Sequence, residues 1–407
     1  MSQQNLMIKK DKTIYPSDWK KIKLGELGKF FKGKGISKAE TKDTGIPCIL
    51  YGEIYTDHHI YIKKIISFID RSTASKSVLI KKGDILFTGS GETKEEIGKA
   101  VVYLDENEAY AGGDIIILRQ NRVNSLYLSY VLNSYALIKQ RAILGQGHSV
   151  VHIYQKDLES LELYLPSLKE QNKIAEILST WDKVIELKEK LIEQKNELKK
   201  GLMQKLLTGE VRLPGFDGEW EQVRLGTVIE ECTEKTTVNN QYPVLTSSRK
   251  GIFLQEEYFS KQVASENNIG YKVVRKGDFT YRTMSDDGNF VFNQLEEYEV
   301  GIVSPAYAVF KATNINPLFL KSILNSYDFK KNILRNVQGG TRLSYKYSDL
   351  KNTVVKVPPK EEQSAIAEVI FNIENNLNLL EQELEALKQQ KKGLMQLLLT
   401  GKVRVQV

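Results

Sequence analysis

The stretch KKGLMQKLLTGEVRLPGF occupies residues 199–216, and it recurs as KKGLMQLLLTGKVRV at residues 391–405. The two copies are 192 residues apart (391 minus 199). Neither copy contains a His, Cys, Asp or Ser side chain, and the acid of the first copy, Glu210, is replaced by Lys402 in the second. These segments therefore predict no catalytic chemistry, and their repetition indicates a chain built from two similar units.

The repeat extends over most of the chain. Residues 165–178, LPSLKEQNKIAEIL, align without a gap with VPPKEEQSAIAEVI at 357–370. Further matches pair YLSYVLNSY (127–135) with FLKSILNSY (319–327), KKGDILF (81–87) with RKGDFTY (275–281), and WKKIKLGEL (19–27) with WEQVRLGTV (220–228). Between these matches the two copies differ strongly. The sequence therefore predicts two copies of one unit whose front parts have diverged.

Each copy divides into a front section and a back section. The front sections combine short β-rich runs, Gly and Asp turn signals and one helical stretch, which predicts mixed α/β domains. Each back section follows a proline and carries apolar residues at helical spacing over about 40 residues. We predict an N-terminal arm (1–18), a first domain (19–165), a first long helix (166–209), a joint (210–219), a second domain (220–357), a second long helix (358–401) and a C-terminal tail (402–407).

The two long helices are predicted to pair with each other. Apolar side chains at alternating spacings of three and four residues are typical of a coiled-coil seam, and each helix offers a seam that the other can bury. The C-terminal residues match the joint at which the chain passes from the first long helix into the second domain. We therefore expect a circular, pseudo-twofold layout with adjacent termini. The residues predicted to form the seam or to dock a partner are Ile174, Leu178, Trp181, Ile185, Leu202, Leu206, Ile370, Ile373, Leu377, Leu380, Leu384, Leu394 and Leu398.

Composition places few restrictions on function. The 407 residues carry 58 Lys and Arg against 51 Asp and Glu, and the resulting net charge of +7 is weak support for a polyanionic partner. Cys48 and Cys232 lie in different copies without metal-binding spacing, which indicates free thiols in a reducing compartment. We find no signal peptide and no apolar run of membrane-spanning length, so we expect a cytoplasmic protein without a membrane partner.

Catalytic and cofactor motifs have only weak matches in the chain. Phe31 to Gly35 fit the FxGxG turn of methyltransferases that bind S-adenosylmethionine, but no hydrophobic strand precedes them and the second copy lacks the pattern. The glycines of 89–94 lack the order of a phosphate-binding loop. His148 and His152 are four residues apart, yet the neighbouring glycines and β-branched residues favour a loop and strand over a metal-binding helix. We expect no metal site and no cofactor on this chain.

Polar, glycine-containing loops in both front sections are better candidates for a functional site. They combine Lys, Arg, Ser, Thr and Tyr side chains, which can reach DNA phosphates and base edges. The alternative is a set of ordinary solvated loops. The candidate DNA-binding residues are Lys32, Lys34, Lys38, Thr88, Ser90, Lys94, His148, Tyr154 and Lys156 in the first copy, and Ser248, Arg249, Lys250, Arg282, Thr283, Ser285, Arg342, Tyr345 and Lys346 in the second.

Taken together, the repeated phrases resemble the specificity subunit of type I restriction-modification enzymes. The resemblance is carried by residues 165–187, the KKGLMQ phrase and its repeat, the joint VRLPGFDGEW (211–220) and the Gly-Asp pair of each front section. It implies two target recognition domains joined by two antiparallel helices, each domain reading one half of a bipartite, asymmetric site in double-stranded DNA. It also implies that this chain has no active site, and that two adenine-N6 modification subunits and further restriction subunits bind S-adenosylmethionine, ATP and magnesium.

Two alternative functions remain open on the residues alone. One is a self-sufficient DNA methyltransferase or nuclease with an unfamiliar site, and the other is a coiled-coil adaptor without a role on DNA. The sequence also leaves open whether the repeated KKGLMQ phrase docks partner subunits or packs internally against its own twin.

Overall fold

The computed structural model describes residues 14–147, 149–259, 266–336 and 342–407. Internal contacts divide the chain into two compact units. Unit 1 comprises Met1–Lys188 and Glu383–Val407, and unit 2 comprises Glu189–Gln382. Both boundaries fall within long helices, so each long helix contributes residues to both units. Among the described residues, no helix is both long and apolar enough to cross a membrane.

Short strands and helices precede the first long helix in unit 1. The strands are β1 (Lys20–Lys23), β2 (Gly28–Lys32), β3 (Ile46–Ile49), β4 (Ser67–Ile69), β5 (Val78–Ile80), β6 (Ile85–Thr88), β7 (Ser90–Gly91), β8 (Ala100–Val102), β9 (Ala109–Ala111), β10 (Ile115–Gln120), β11 (Val151–His152) and β12 (Glu162–Leu165). The helices are α1 (Tyr51–Thr56), α2 (Arg71–Ala74), α3 (Ser125–Leu132), α4 (Tyr135–Leu144), α5 (Gln155–Glu159) and the long α6 (Leu168–Thr208). Strand β6 and the first four residues of β10 are buried, in keeping with their β-branched and aromatic side chains.

A similar series of elements forms unit 2. The strands are β13 (Glu221–Arg224), β14 (Ile229–Glu231), β15 (Leu245–Ser248), β16 (Gly251–Leu254), β17 (Lys272–Arg275), β18 (Phe279–Arg282), β19 (Met284–Ser285), β20 (Asn293–Gln294), β21 (Val300–Val303), β22 (Tyr307–Ala312), β23 (Leu343–Ser344) and β24 (Val354–Val357). The helices are α7 (Gln255–Tyr258), α8 (Pro317–Leu324), α9 (Tyr327–Asn336), α10 (Tyr347–Asn352) and the long α11 (Lys360–Leu399).

The central sheet has the same topology in both units. Its strand order is β2-β10-β6-β8 in unit 1 and β14-β22-β18-β20 in unit 2. The pairs β1-β12 and β13-β24 join the start of each domain to the strand that leads into a long helix. The units differ elsewhere, because unit 1 has a second sheet β4-β3-β9-β5 where unit 2 has the pairs β15-β16 and β17-β21. The predicted mixed α/β fold in two similar copies is confirmed.

The repeated Gly-Asp pair builds the same turn in both units. Gly83 and Gly277 adopt φ angles of 90° and 92°, a left-handed conformation that glycine adopts without steric cost. Asp84 and Asp278 accept a hydrogen bond from the backbone N–H three residues earlier, at 2.9 and 2.8 Å. Each pair therefore shapes the turn that leads into a central strand, β6 or β18.

Within unit 1, the first part of α6 packs antiparallel to the last part of α11. Asp182 forms an ion pair with Lys391, and Lys188 forms one with Glu383 at 2.7 Å. From Asp182 to Lys188 the residue numbers rise along α6, whereas those of their partners fall from Lys391 to Glu383 along α11. The ion pairs therefore establish the antiparallel direction.

Unit 2 contains the complementary parts of the same two helices. Lys199 of α6 forms an ion pair with Glu374 of α11 at 2.8 Å. Leu206, near the end of α6, lies in one hydrophobic core with Ile366, near the start of α11. The helices therefore pack antiparallel in this unit too, as the sequence predicts.

Candidate nucleic-acid interface

Three polar loops predicted from the second copy lie together in unit 2. Strand β19 pairs with β23, which brings the loop after β18 to the segment before α10. Arg249, in the turn between β15 and β16, reaches Asp287 with its Nη2 atom at 2.7 Å from Oδ2. Arg342 reaches the neighbouring Asp286, with Nε at 3.0 Å from Oδ1. Two arginines from separate loops are thus held by two adjacent carboxylates.

The carboxylate of Asp287 is fixed by its surroundings. Its Oδ1 atom accepts hydrogen bonds from the Ser285 hydroxyl (2.9 Å) and from the Asn289 backbone N–H (3.1 Å). The Asn289 N–H, the Ser285 hydroxyl and the guanidinium of Arg249 together lower the pKa of the Asp287 carboxyl. This group is therefore ionised at neutral pH and points in a defined direction.

Further cations lie on the loops that form these two ion pairs or next to them. Lys330 donates from Nζ to Asn289 Oδ1 at 3.1 Å, and burial together with the nearby charge of Arg249 lowers the pKa of Lys330. Lys250, Arg282 and Lys346 are further exposed cations of the same loops. The cations outnumber Asp286 and Asp287, so this face of unit 2 is suited to a polyanion.

The predicted loops of the first copy are also neighbours in unit 1. Strand β7 pairs with β11, which places Ser90 opposite His152 with Oγ at 3.0 Å from Nδ1. The Gly89 N–H donates to the carbonyl oxygen of Asp114 at 2.6 Å. The Gly33 N–H donates to the carbonyl oxygen of the residue after Asp114 at 2.8 Å. The three loops of unit 1 are therefore neighbours, as the three loops of unit 2 are.

The candidate DNA-binding side chains differ in exposure. Those exposed to solvent are Lys32, Lys34, Lys38, Lys94, Tyr154, Lys156, Arg249, Lys250, Arg282, Arg342 and Lys346. Those that are half-buried are Ser248, Thr283 and Ser285, and those that are buried are Thr88, Ser90 and Tyr345. His148 lies outside the described residues. A role of the exposed group in binding DNA stays a prediction.

The three buried candidates form hydrogen bonds inside their own units. The hydroxyl of Tyr55 lies 2.7 Å from Thr88 Oγ1 and donates to the carbonyl oxygen of Ser90 at 3.0 Å. The hydroxyl of Tyr345 lies 2.7 Å from Thr353 Oγ1. In this structure these three side chains shape the loops and are not presented at the surface. The residue types alone could not show this, because the same hydroxyls serve both purposes.

Arg141 is a buried cation for which the sequence carries no signal. Its guanidinium donates to the carbonyl oxygens of Ile97 (Nε, 3.1 Å) and Leu132. Burial lowers the pKa of Arg141 to about 10. The equivalent residue of unit 2 (141 plus 192) is the buried Ile333. Arg141 therefore fixes the turn at Ile97, which follows the loop of residues 88–94, by a contact that unit 2 lacks.

The predicted seam residues of the long helices are shielded from solvent. The buried members are Ile174, Leu178, Leu206, Ile370, Leu377 and Leu398, and the half-buried members are Trp181, Ile185, Leu202, Ile373, Leu380, Leu384 and Leu394. Their burial accounts for the apolar spacing of both helices. It leaves their alternative role, docking of a partner, as a prediction.

A repeated glutamine anchors the start of each long helix to its unit. Gln171 donates from Nε2 to the Pro166 carbonyl oxygen at 2.9 Å and accepts a hydrogen bond from the Asn124 backbone N–H at 3.0 Å. Gln363 makes both corresponding contacts at 2.9 Å. The glutamine is therefore repeated because each unit needs the same connection between its long helix and its domain.

The KKGLMQ phrase has an inward and an outward face. Leu206 belongs to the core of unit 2, and Leu398 belongs to that of unit 1. Gly201 and Gly393, in contrast, are exposed, and a Cβ atom at either would meet no other atom within 4 Å. Leu206 and Leu398 therefore pack internally, while the glycine side of the phrase stays open to solvent.

The repeated LNSY phrase ends in an exposed tyrosine. The side chains of Tyr135 and Tyr327 are 71% and 69% exposed. Lys139 Nζ lies 4.4 Å from the ring centre of Tyr135, and Lys331 Nζ lies 5.8 Å from that of Tyr327. An aromatic ring covered by a lysine is thus presented at equivalent positions of both units.

In unit 2 the exposed tyrosine borders a groove of about 630 Å³. The groove is lined by Lys200, Met203 and Leu207 of α6, by Tyr327 and by Val354 of β24, among others. The KKGLMQ and LNSY phrases therefore contribute to one mostly apolar surface. Such a surface is suited to another protein more than to DNA.

The described residues contain no cluster of three or more His, Cys, Asp or Glu side chains that could hold a metal ion. His152 lies on strand β11 and not on a helix. Burial raises the pKa of the Cys48 and Cys232 thiols to about 12, so both are protonated at neutral pH.

The chain is similar to proteins of one family over most of its length. The family described as "Type I restriction modification DNA specificity domain" matches residues 16–197 and 217–389. The type I restriction enzyme MjaVIII specificity subunit of Methanocaldococcus jannaschii is 26% identical, and the match covers 96% of this chain and 94% of that protein. The putative MjaX specificity subunit of the same organism is 28% identical, with 96% and 95% covered. The crystal structure of a type I restriction-modification S subunit from M. genitalium has the same fold, with a TM-score of 0.56, 14% identity, and 97% and 98% of the two chains covered.

Proposed function

Because the chain belongs to the type I restriction-modification DNA specificity family, we propose that it is the DNA sequence-recognition subunit of a type I restriction-modification complex. Each unit reads one half of a bipartite, asymmetric site in double-stranded DNA. One contrast supports this proposal above all. The units have the same central topology and the same helix phrases, but they carry different side chains on the loops that each fold brings together. A repeated frame with unlike loops can address two unlike base sequences.

The chemistry of the complex lies on partner subunits in this proposal. The partners are two adenine-N6 modification subunits and, through them, restriction subunits. S-adenosylmethionine, ATP and magnesium are bound by these partners, and this chain recognises the DNA sequence. The protein is then expected to act in the cytoplasm, where the DNA is.

Two identical partners require two copies of one docking surface. Tyr135 with Lys139 in unit 1 and Tyr327 with Lys331 in unit 2 are exposed pairs of this kind. Tyrosine is enriched at protein interfaces, where it combines a large apolar area with a polar end. We assign one modification subunit to each pair, together with the outward side of the adjacent KKGLMQ phrase.

The methylation motif tests the proposed function. The chain is co-expressed with its cognate modification subunit, and N6-methyladenine is mapped by sequencing a plasmid library. Two unlike half-sites separated by an unspecified spacer are expected. A contiguous or palindromic motif would contradict the proposal.

Two measurements, one on the purified chain and one on the complex, separate the proposal from its alternatives. No turnover is expected when the chain alone is mixed with DNA and S-adenosylmethionine or magnesium, whereas turnover would establish a self-sufficient enzyme. DNA affinity, measured for the complex, is expected to fall steeply with salt because phosphate contacts release counterions. A complex that shows no DNA affinity at low salt would support an adaptor role instead.

A further inference from the structure

The candidate loops of the two units carry different cations. In unit 1 the exposed cations of these loops are lysines, namely Lys32, Lys34, Lys38, Lys94 and Lys156, whereas unit 2 adds Arg249, Arg282 and Arg342. A lysine ammonium acts as a point charge. An arginine guanidinium is a planar fork that donates two parallel hydrogen bonds and so recognises a pair of acceptors. The two units therefore have different means of reading DNA.

Two of the arginines are held in place by carboxylates. Arg249 uses Nη2 to reach Asp287, and Arg342 uses Nε to reach Asp286. Within the part of the chain that the structure describes, these are the hydrogen-bonding and ionic contacts of the two guanidinium groups. Their side chains are 64% and 60% exposed, so the remaining N–H donors are accessible. For Arg342 these donors include the terminal Nη1 and Nη2 pair.

The ion pairs serve orientation more than stability. Exposed ion pairs contribute little to folding because water screens them. Asp287, however, is fixed by Ser285 and by the Asn289 backbone, so Arg249 meets a carboxylate of defined position. A side chain that is ordered before binding loses less conformational entropy in the complex.

The balance of charge indicates which acceptor these arginines meet. Each Arg-Asp pair is neutral overall, and Asp286 and Asp287 would repel a phosphate that approached closely. The edge of a base pair carries no net charge. In the major groove, guanine presents the O6 and N7 acceptors that match a guanidinium fork. The paired cytosine presents an N4 amino group, which can donate a hydrogen bond to a carboxylate.

We propose that the Arg249–Asp287 and Arg342–Asp286 pairs read two G·C base pairs in the major groove of the half-site addressed by unit 2. The inference rests on the proposed function of the chain as a DNA-recognition subunit. It adds the chemical identity of two base pairs that this unit selects and the residues that select them.

The test compares methylation motifs of the complete complex carrying Arg249→Lys, Arg342→Lys or Asp287→Asn. Each lysine variant is expected to relax one G·C position by about ten- to a hundred-fold, because the ammonium cannot replace the bidentate fork. Both relaxed positions should fall in the same half of the motif. Asp287→Asn retains the arginine and the side-chain volume, and it should partly relax the position that Arg249→Lys relaxes.

Arg275→Lys is the matched control, since Arg275 forms an exposed ion pair with Glu234 (2.9 Å) in the same unit but outside the candidate loops. Its motif should equal that of the unaltered complex. A uniform loss of methylation with an unchanged motif would show that Arg249 and Arg342 contact phosphate, and this result overturns the inference. Relaxed positions in different halves of the motif would also overturn the inference. The same holds for a wild-type motif without G·C in the affected half. All of these outcomes keep a bipartite wild-type motif, so they are distinct from failure of the proposed function.

Discussion

Arg404 donates from Nε to Oε1 of Glu170 at 2.7 Å, across 234 residues of sequence. In unit 2, Arg212 makes the equivalent contact with Glu362 at 2.6 Å. Both carboxylates are buried, with 2% and 0% of the side chain exposed. The segment that follows each KKGLMQ phrase therefore closes on the glutamate at the start of the other long helix. This contact gives the end of the repeated phrase a structural role in both units.

Replacing either buried glutamate is expected to destabilise its own unit. Glu362→Gln and Glu170→Gln each remove a charge-assisted pair and should lower the free energy of unfolding by about 1–3 kcal/mol. This loss is smaller than the loss expected on breaking a fully buried ion pair, because both arginines are partly exposed. Thermal unfolding measures the change, with Glu361→Gln at an exposed neighbouring position as the control. Equal unfolding temperatures for Glu361→Gln and Glu362→Gln would contradict this role.

Removing one exposed tyrosine is expected to remove one modification subunit. Tyr135→Ala and Tyr327→Ala should each give a complex with a single modification subunit, and the double variant should give none. Native mass spectrometry of the purified complex measures the stoichiometry. Tyr51→Ala is the control, because Tyr51 is also exposed (40%) but has no counterpart in the repeated phrases. A double variant that still binds two modification subunits would exclude these surfaces as docking sites.

The ion pair between Asp182 and Lys391 is expected to favour the antiparallel register of the helices in unit 1. Both side chains are largely shielded (18% and 15% exposed), so Lys391→Glu should lower the unfolding temperature through repulsion between two half-buried carboxylates. The charge-reversed double variant Asp182→Lys/Lys391→Glu should recover part of the loss. Recovery is incomplete because Tyr130 also donates a hydrogen bond to Asp182. Purely additive single and double effects in a double-mutant cycle would show that the pair is not coupled.

The sequence predicts those features of the fold that have local signals. The spacing of Ile370, Ile373 and Leu377 shows in a short window that one face of a helix is apolar. Repetition of whole phrases reveals that there are two units without any knowledge of their contacts. The helices and the mixed α/β domains could therefore be predicted before the structure was known.

Contacts between distant segments could not be predicted in the same way. Nothing near Glu170 in the sequence points to Arg404, and nothing near Arg249 points to Asp287. Arg141 has the residue type of a surface position, yet the fold buries it against two carbonyl oxygens. Ser90 has the residue type of a DNA contact, yet it packs against His152. The loops were predicted as a group, and the fold decides which of their side chains face outward.

Unit 1 is expected to lose stability in mild acid because of His58. This side chain is 1% exposed, and neither ring nitrogen has a hydrogen-bond partner among the described residues. Burial lowers the pKa of His58, Asp57 opposes that effect, and Lys99 adds to it. The folded-state pKa therefore lies below the unfolded value of about 6.5. Above that pH, His58 is neutral in both the folded and the unfolded chain, and it does not reduce the free energy of unfolding. Below that pH, the unfolded chain binds a proton at His58 that the folded unit does not, so the free energy of unfolding falls.

His58→Phe should flatten this dependence. Phenylalanine is a somewhat larger ring that needs no hydrogen bond, so the variant no longer buries two unpaired ring nitrogens, and this gain offsets the cost of its extra volume near neutral pH. Between about pH 7.5 and 5.5 its unfolding temperature should fall less than that of the original chain. Part of the slope is expected to remain, because burial also lowers the pKa of His59. Identical slopes of unfolding temperature against pH in the two proteins would show that His58 does not govern the acid sensitivity.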